Sequence, residues 1–405
     1  MHRRTREAYS VRPHRRPEEH MRNVLISGAG VAGLALACRL RRKGFAVTVV
    51  ERAPGLRTGG QAVDIRGVAL DVVDRMGLGE RMRTARTRMR GMSMVDRDGN
   101  ELFRSEERTF SSGRLDSEDV ELLREDLTDI LYQEAEDGVE YVFDDSITAL
   151  RQDEHGVRIE LERGGARGFD LVIGADGAHS TVRRLAFGPE QRISKHLGQY
   201  LAIFPTANFL DLDNWQMWFR DETSRTGGAL YPVRDNTELR VTLGFLSEEP
   251  VPYDHRDVQR QKQIVTERLA NAGWRTPELL AAMTGASDFY FDAMTQIHLD
   301  RWATGRVALV GDAGYCPSPL SGQGTSLALV GAYVLAEELA RPHTAHGAAF
   351  AAYEQRMRPY VTLNQALATE NPTGPAAEES VEHAKYAITL DAGVPAADRQ
   401  LRTTR

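Results

Sequence analysis

Residues 22–52 constrain the fold more than any other part of the chain. A short apolar run leads into a turn with Gly28, Gly30 and Gly33, and an Ala/Leu-rich helix follows. A second apolar run then ends in Glu51. The pattern predicts a buried parallel strand, a tight turn, a helix and a second strand that carries a carboxylate at its end. These parts in this order are typical of a dinucleotide site, in which the glycines and the helix start face a pyrophosphate.

Size and composition favour a soluble protein of two domains. The chain has 405 residues, of which 41% are hydrophobic and 27% charged, and no apolar run approaches the roughly 20 residues of a membrane span. A net charge of −7 gives no reason to expect a nucleic-acid or membrane partner. Cys38 and Cys316 are the only cysteines, which suits a reducing cytosol, so we predict a cytoplasmic protein. Residues 1–20 are rich in arginine and predict a mobile basic tail without a role in the chemistry.

Two later stretches return to the pattern of the opening. An apolar strand runs into Asp176 and Gly177, and a helix follows. A third apolar strand ends at Asp312, and a loop rich in proline and glycine then leads to a long helix over 325–339. Open α/β sheets bind ligands at the carboxyl ends of their strands, so both ends are candidate ligand sites. The N–H groups at the start of the long helix can stabilise a negative charge.

Aromatic residues become frequent between 190 and 300, where short runs alternate between apolar and polar residues. The alternation predicts an antiparallel sheet with one covered face. Its aromatic side chains are either core residues or the apolar wall of a site for a flat substrate. Alternation places Met217 and Phe219 on one face and Trp218 on the other. Either face could form the substrate pocket, and we expect some of Met217, Phe219, Tyr231 and Phe245 to wall it.

With these three stretches, the chain resembles the class A flavoprotein monooxygenases, the family of para-hydroxybenzoate hydroxylase and the tetracycline-inactivating hydroxylases. The resemblance extends from about Arg22 to about Tyr360. It implies an α/β fold with a Rossmann-like FAD-binding domain on a parallel sheet, a smaller domain on an antiparallel sheet, and C-terminal helices. The expected division has a tail at 1–20, an FAD-binding domain from 21–75, 105–188 and 290–345, a substrate domain from 76–104 and 189–289, and a C-terminal helix and tail at 346–405.

The resemblance also implies roles for individual residues. The glycine turn would face the FAD pyrophosphate, Glu51 the adenosine ribose and Arg52 the adenine. Arg124, in an Arg-x-x-Leu motif on a helix predicted over 118–135, and Asp312 would reach the phosphate or ribityl part. The implied FAD contacts are Gly28, Gly30, Val31, Ala32, Gly33, Glu51, Arg52, Gly60, Arg124, Asp176, Gly177, Asp312, Pro319, Gly322, Gly324 and Thr325.

Two positions depart from the family pattern, which puts contacts with the flavin ring in doubt. Tyr315 stands where a histidine is common, and Ser326 where an asparagine is common. We interpret His179 and His196 as structural or surface residues. The sequence predicts neither a catalytic acid–base set nor a metal site.

The activity implied by the resemblance is hydroxylation of an aromatic or polycyclic small molecule. NADPH or NADH, as a transient co-substrate, would reduce the flavin, and O2 would add at C4a to give a hydroperoxide. The expected partners are the aromatic substrate and O2, with the enzyme a monomer or a homodimer.

Several alternatives share parts of this pattern. The same flavin intermediate would serve epoxidation or Baeyer–Villiger insertion, and a flavin-dependent reductase of isoprenoid double bonds shares the opening motif. An interaction protein stiffened by FAD would show no NAD(P)H oxidation stimulated by a ligand. A flavin-dependent halogenase is disfavoured because its Trp-x-Trp-x-Ile-Pro pattern is absent from the sequence.

Overall fold

The structure is a computed structural model that describes residues 22–189, 193–371 and 374–391. The basic tail predicted at 1–20 lies outside the described residues. The strands are β1 (Asn23–Ser27), β2 (Ala46–Glu51), β3 (Ala62–Ile65), β4 (Gly91–Val95), β5 (Glu101–Ser105), β6 (Arg108–Thr109), β7 (Gly113–Arg114), β8 (Val120–Leu123), β9 (Val139–Phe143), β10 (Ile147–Gln152), β11 (Val157–Leu161), β12 (Gly165–Phe169), β13 (Leu171–Gly174), β14 (Ser194–Ala207), β15 (Trp215–Asp221), β16 (Thr226–Val233), β17 (Glu238–Leu246), β18 (Tyr290–Ile297), β19 (Ala303–Thr304) and β20 (Val307–Leu309). The helices are α1 (Val31–Arg42), α2 (Val68–Arg75), α3 (Gly79–Thr84), α4 (Arg124–Ala135), α5 (Thr181–Phe187), α6 (Val258–Leu269), α7 (Thr276–Gly285), α8 (Asp312–Tyr315), α9 (Gly324–Leu339), α10 (His346–Glu370) and α11 (Glu378–Lys385).

A six-stranded sheet forms the centre of the first layer, with the strand order β19-β20-β13-β1-β2-β9. Its strands β20, β13, β1, β2 and β9 run parallel, and β19 is an antiparallel edge strand. The central strand β1 is apolar on both faces because helices α1 and α9 cover one side and the three-stranded sheet β10-β11-β12 lies on the other. Because β1, β13 and β20 are parallel neighbours, the turns after them meet at one edge of the sheet. The three stretches singled out in the sequence therefore converge.

A seven-stranded sheet forms the second layer, with the order β18-β14-β17-β16-β15-β4-β5. All of its neighbouring strands pair antiparallel except β4 and β15. Helices α6 and α7 cover one face and enclose a core that includes Phe219, Leu243 and Phe245. The opposite face carries Gln216, Trp218 and other residues of the alternate register. We call this second surface the open face.

The predicted fold class is confirmed, with a parallel sheet, a separate antiparallel sheet and C-terminal helices. Strand β18 belongs to the antiparallel sheet, so a boundary at residue 290 falls at the start of one of its strands. The division into domains stays a prediction. In the part of the chain that the structure describes, no helix combines the length and apolarity that crossing a membrane requires.

Two local predictions were wrong. The helix predicted over 118–135 begins only at Arg124, because Val120–Leu123 pairs with Ala62–Ile65 as a strand. The tail expected after the C-terminal helix within 346–405 contains helix α11 at Glu378–Lys385. Its Lys385 Nζ donates to the Asp119 carboxylate at 3.0 Å, which fixes this helix to the chain before β8.

Candidate functional site

The glycine turn after β1 has two structural glycines and one that borders open space. Gly28 has a φ of +107°, and a Cβ built on it would lie 2.6 Å from the carbonyl oxygen of Ala175. A Cβ on Gly33 would lie 1.9 Å from the carbonyl oxygen of Gly28. A Cβ on Gly30 would meet only Nη2 of Arg124, at 4.0 Å. Gly28 and Gly33 therefore let the backbone segments pack, whereas Gly30 leaves room for a ligand.

The start of α1 supplies hydrogen-bond donors at the same place. Gly30 is its N-cap and has no side chain, while Val31 and Ala32 open the first turn. The first N–H groups of a helix have no partner within the helix, and they carry its positive dipole end. A pyrophosphate beside Gly30 would accept from these groups.

Glu51 ties the end of β2 to this turn. Its Oε2 accepts from the N–H of Ala29 at 2.8 Å, and its Oε1 accepts from the N–H of Ala53 at 2.9 Å. Each carboxylate oxygen has a second lone pair, so both can still accept from ribose hydroxyls. Arg52 beside it is exposed, at the position where the resemblance places the adenine.

Arg124 is the first residue of α4 and directly follows β8, which places its side chain beside the glycine turn. It is half-buried, and burial lowers its pKa. Its methylene Cδ lies 3.6 Å from where a Cβ on Gly60 would stand. Among the described residues, its guanidinium has no hydrogen-bond or ion-pair partner. Because a desolvated cation without a partner is costly, this arrangement fits an anionic ligand such as the FAD diphosphate.

The third converging stretch brings the side chain of Asp312 close to the first residue of α9. Asp312 follows β20 as the first residue of α8, and burial raises the pKa of its carboxyl to about 6. Its Oδ1 lies 3.9 Å from where a Cβ on Gly324 would stand. A short 3-10 turn, Pro319–Ser321, and Gly322 with a φ of +65° bring the chain into α9. Asp312 and the first N–H groups of α9, including that of Thr325, thus border the same space.

Asp176 has a different environment from the other acids. Its Oδ2 accepts from the N–H groups of Thr181 at 2.8 Å and Val182 at 3.1 Å, and its Oδ1 accepts from the Ser180 hydroxyl. The carboxylate therefore holds the start of α5. Gly177, with a φ of +80°, turns the chain between them. Any effect of Asp176 on FAD would act through the position of this loop.

The structure adds a polar pair that the sequence analysis missed. Arg66 Nη2 donates to Asp64 at 2.9 Å, and Arg66 Nη1 lies 3.6 Å from where a Cβ on Gly322 would stand. The backbone N–H of Arg66 donates to the Ser326 hydroxyl at 3.0 Å, so the departure at Ser326 has a structural role. The only sequence signal was the Asp-x-Arg spacing that follows Gly59 and Gly60.

Tyr315, the second departure from the family pattern, lies in the core. It is 1% exposed and shares a hydrogen bond of 3.0 Å with the hydroxyl of Tyr353. Its ring packs against Trp302 with centroids 4.5 Å apart. Its oxygen lies 2.0 Å from where a Cβ on Gly331 would stand, so glycine in α9 makes room for it.

Asp64 provides a test of stability against pH. Burial, with repulsion from Glu121, outweighs the attraction of Arg66 and raises the pKa of Asp64 to about 7, from 3.8. The folded protein therefore holds this proton more tightly than the unfolded chain. The resulting stability is complete below pH 3.8 and is lost as the pH rises through about 7.

We expect Asp64 to cost wild-type protein about 1 kcal/mol of stability between pH 6 and pH 8. Asp64→Asn, which cannot ionise, should reduce that loss. The measurement is the urea midpoint at both pH values, with FAD at the same excess. Asp98→Asn, an exposed change in the β4–β5 turn, is the control and should behave as wild type. An unchanged pH dependence in Asp64→Asn would contradict the prediction.

The expected substrate wall needs a correction. Phe219 and Phe245 are 3% and 4% exposed and lie in the core beneath α6 and α7, and Met217 packs against the same cluster. Covered by two helices, this face cannot wall a substrate pocket. Tyr231 lies on the open face, but its hydroxyl accepts from the N–H of Ala62 at 2.7 Å. It connects the sheet to the start of β3.

The open face is turned toward the residues described above. Arg240 Nε donates to the carbonyl of Gly60 at 2.9 Å, and Gln216 Nε2 donates to the Ser111 hydroxyl at 2.7 Å. Arg66 donates to the carbonyl of the same Ser111. These contacts place the open face of the antiparallel sheet across from Gly60 and Gly322.

Aromatic side chains line one end of the open face. Phe110 stands edge-on to Trp218 with ring centroids 5.3 Å apart, and it stacks on Phe103 at 6.1 Å. Trp218 and Phe110 are half-buried and Phe103 is 43% exposed. Unlike the core aromatics under α6, these rings keep surface that a ligand can contact.

Comparisons with known proteins agree with this arrangement. Residues 21–367 match the family described as FAD binding domain. The uncharacterized protein Rv1260 of Mycobacterium tuberculosis is 51% identical over 372 residues, which cover 91% of this chain and 99% of that protein. A flavin-dependent monooxygenase from an unknown prokaryotic organism is 41% identical, with 86% of this chain and 89% of that protein covered. The crystal structure of tetracycline destructase Tet(51) is similar with a TM-score of 0.82 and 33% identity, covering 91% of this chain and 99% of that one. The chain therefore belongs to the FAD binding domain family and is an FAD-dependent monooxygenase, an enzyme that acts on a small molecule with O2.

Proposed function

We propose that the enzyme uses NADPH or NADH, together with O2, to hydroxylate a flat aromatic or polycyclic molecule. The observation that carries this proposal is the aromatic group Phe103, Phe110 and Trp218 on the open face. Aromatic walls bind flat apolar ligands through area and ring stacking. This group lies on the face from which Gln216 and Arg240 donate to Ser111 and to the carbonyl of Gly60, a residue expected to contact FAD.

The chain's residues would hold FAD at several points along its length. Arg124 and the start of α1 would bind the diphosphate, and Glu51 would accept from the adenosine ribose. Asp312 would accept from the ribityl hydroxyls, and the first N–H groups of α9 would stabilise negative charge on the reduced ring. FAD supplies the activation of O2 when it is bound. The protein would supply position, charge stabilisation and a site from which the antiparallel sheet would exclude water.

Tetracycline is a suitable first substrate to test. Tet(51) and Tet(55) are tetracycline destructases, and they are 33% and 37% identical to this chain. The experiment follows NADPH and NADH oxidation by FAD-loaded enzyme with tetracycline and with a panel of other polycyclic phenols. Mass spectrometry then seeks a product that has gained one oxygen atom. A ligand-stimulated oxidation with that product supports the proposal, and a panel without either outcome contradicts it.

Neighbouring residues on opposite faces give a sharper test of the binding site. Trp218→Ala should raise the substrate dissociation constant by about tenfold, because a lost ring contact of this size costs about 1–2 kcal/mol. The FAD content of the Trp218→Ala enzyme should stay unchanged. Phe219→Ala is the matched control, since its side chain lies in the core under the helices. It should lower the melting temperature and leave substrate affinity near that of wild type. If Phe219→Ala instead weakened substrate binding and Trp218→Ala only lowered the melting temperature, the covered face would have been assigned wrongly.

A further inference from the structure

A cluster of two histidines and one aspartate lies outside the FAD contacts described above. His179 follows β13 in the loop that also contains Asp176, His255 lies between β17 and α6, and Asp292 is on β18. Their ligand atoms all lie within 4.8 Å of one another. The imidazole rings of His179 and His255 have centroids 3.9 Å apart. Because the three residues come from different parts of the chain, no local sequence motif marked them.

Asp292 is held in place by groups that surround it. It is 7% exposed, and its carboxylate contacts His179 Nε2 at 2.9 Å and 3.1 Å. The hydroxyl of Tyr253 donates to Oδ1 at 2.8 Å, and that of Tyr290 donates to Oδ2 at 3.2 Å. Hydroxyl donors of this kind fix the orientation of metal-binding carboxylates in proteins.

We propose that His179, His255 and Asp292 bind one divalent transition-metal ion of the Zn²⁺ class. Two imidazole nitrogens and a carboxylate oxygen form a donor set that Zn²⁺ prefers, and Tyr253 and Tyr290 would support the carboxylate. Tetrahedral bonds of about 2.0–2.1 Å put ligand atoms roughly 3.3 Å apart. The His179 Nε2 contacts with the two Asp292 oxygens, at 3.1 Å and 2.9 Å, need only a small expansion to reach that spacing, and the His255 ligand atom lies within 4.8 Å of the other two. His255 is exposed, which gives the ion a path from solvent.

The position of the cluster gives the ion a mechanical effect. His179 belongs to the loop after a strand of the parallel sheet, whereas Asp292 belongs to the antiparallel sheet. A metal ion would therefore connect the two sheets through coordinate bonds and would also fix the loop that carries His255. This role requires neither the proposed substrate nor NAD(P)H.

The test is Zn²⁺ binding to FAD-loaded enzyme that has been treated with a chelator, measured by calorimetry at pH 7.5. We expect one Zn²⁺ ion per chain and a higher melting temperature when Zn²⁺ is added. His255→Ala, an exposed change that the fold should tolerate, is expected to weaken binding more than tenfold, and so is His179→Ala. Tyr253→Phe should weaken it less, because it removes only a supporting hydrogen bond.

His155→Ala is the matched control, because His155 is an exposed histidine in the turn between β10 and β11. It should bind Zn²⁺ like wild type. Equal affinities for wild type and His255→Ala would overturn the proposal, as would a loss of the same size in His155→Ala. If His179→Ala fails to fold, His255→Ala with Tyr253→Phe still decides the question.

Discussion

Gly30→Ala is expected to weaken FAD binding at least about tenfold, or 1.4 kcal/mol, while the FAD-free protein keeps its stability. A methyl group at Gly30 meets only Arg124 within 4 Å, and the φ of −85° suits any residue. The added methyl group would therefore compete with the ligand for space but would hardly disturb the surrounding protein. Gly33→Ala should behave differently, because its Cβ would stand 1.9 Å from the Gly28 carbonyl oxygen. To relieve that contact, α1 would have to move away from the turn after β1.

Two measurements separate these effects. FAD titration followed by flavin fluorescence gives the dissociation constant, and circular dichroism gives the melting temperature of the FAD-free protein. Overpacking of this kind typically costs about 1–3 kcal/mol, so Gly33→Ala should melt several degrees lower. FAD-free Gly30→Ala should have the same melting temperature as FAD-free wild type. If Gly30→Ala binds FAD as tightly as wild type does, the pyrophosphate does not approach the backbone at this residue.

Arg124→Ala is expected to raise the FAD dissociation constant by about tenfold to a hundredfold, the usual range for a lost hydrogen bond to a charged group. The FAD-free variant should be at least as stable as wild type, because the substitution removes a half-buried cation that has no partner among the described residues. Arg124→Lys should recover only part of the affinity, since lysine keeps the charge but lacks the planar fork of donors.

Arg81→Ala is the control for this prediction. Arg81 is exposed on α3 and donates to Gln133 at 2.6 Å, away from the glycine turn. It should leave both the FAD dissociation constant and the melting temperature unchanged. A fall in stability of the FAD-free Arg124→Ala protein, with FAD affinity retained, would mean that Arg124 serves the fold and does not bind the cofactor.

Features fixed by short-range geometry were predictable from the sequence. The turn at Gly28 and Gly33 needs residues without a Cβ, and the apolar runs around it bury both faces of parallel strands. The segment 118–135 was harder because Val120–Leu123 has the composition of a buried helix or a strand. Its pairing with Ala62–Ile65, distant in sequence, decides between them.

The substrate face shows a second limit of sequence reasoning. Alternation correctly separated Met217 and Phe219 from Trp218. It could not say which face helices α6 and α7 would cover, because that depends on how a later segment packs against the whole sheet. Likewise, the pairing of Asp64 with Arg66 beside Gly322 depends on where the chain places β3 relative to α9.

The hydrogen bonds between the open face and residues 60–62 bear on how such enzymes can be recombined. Tyr231 accepts from the N–H of Ala62, and Arg240 donates to the carbonyl of Gly60, so side chains of the sheet satisfy main-chain groups of residues 60–62. A chimaera that takes its antiparallel sheet from a relative without this tyrosine and arginine would leave those groups unsatisfied. Exchange of substrate preference by grafting this sheet therefore requires the donor to carry both residues, or to bring its own loop with it.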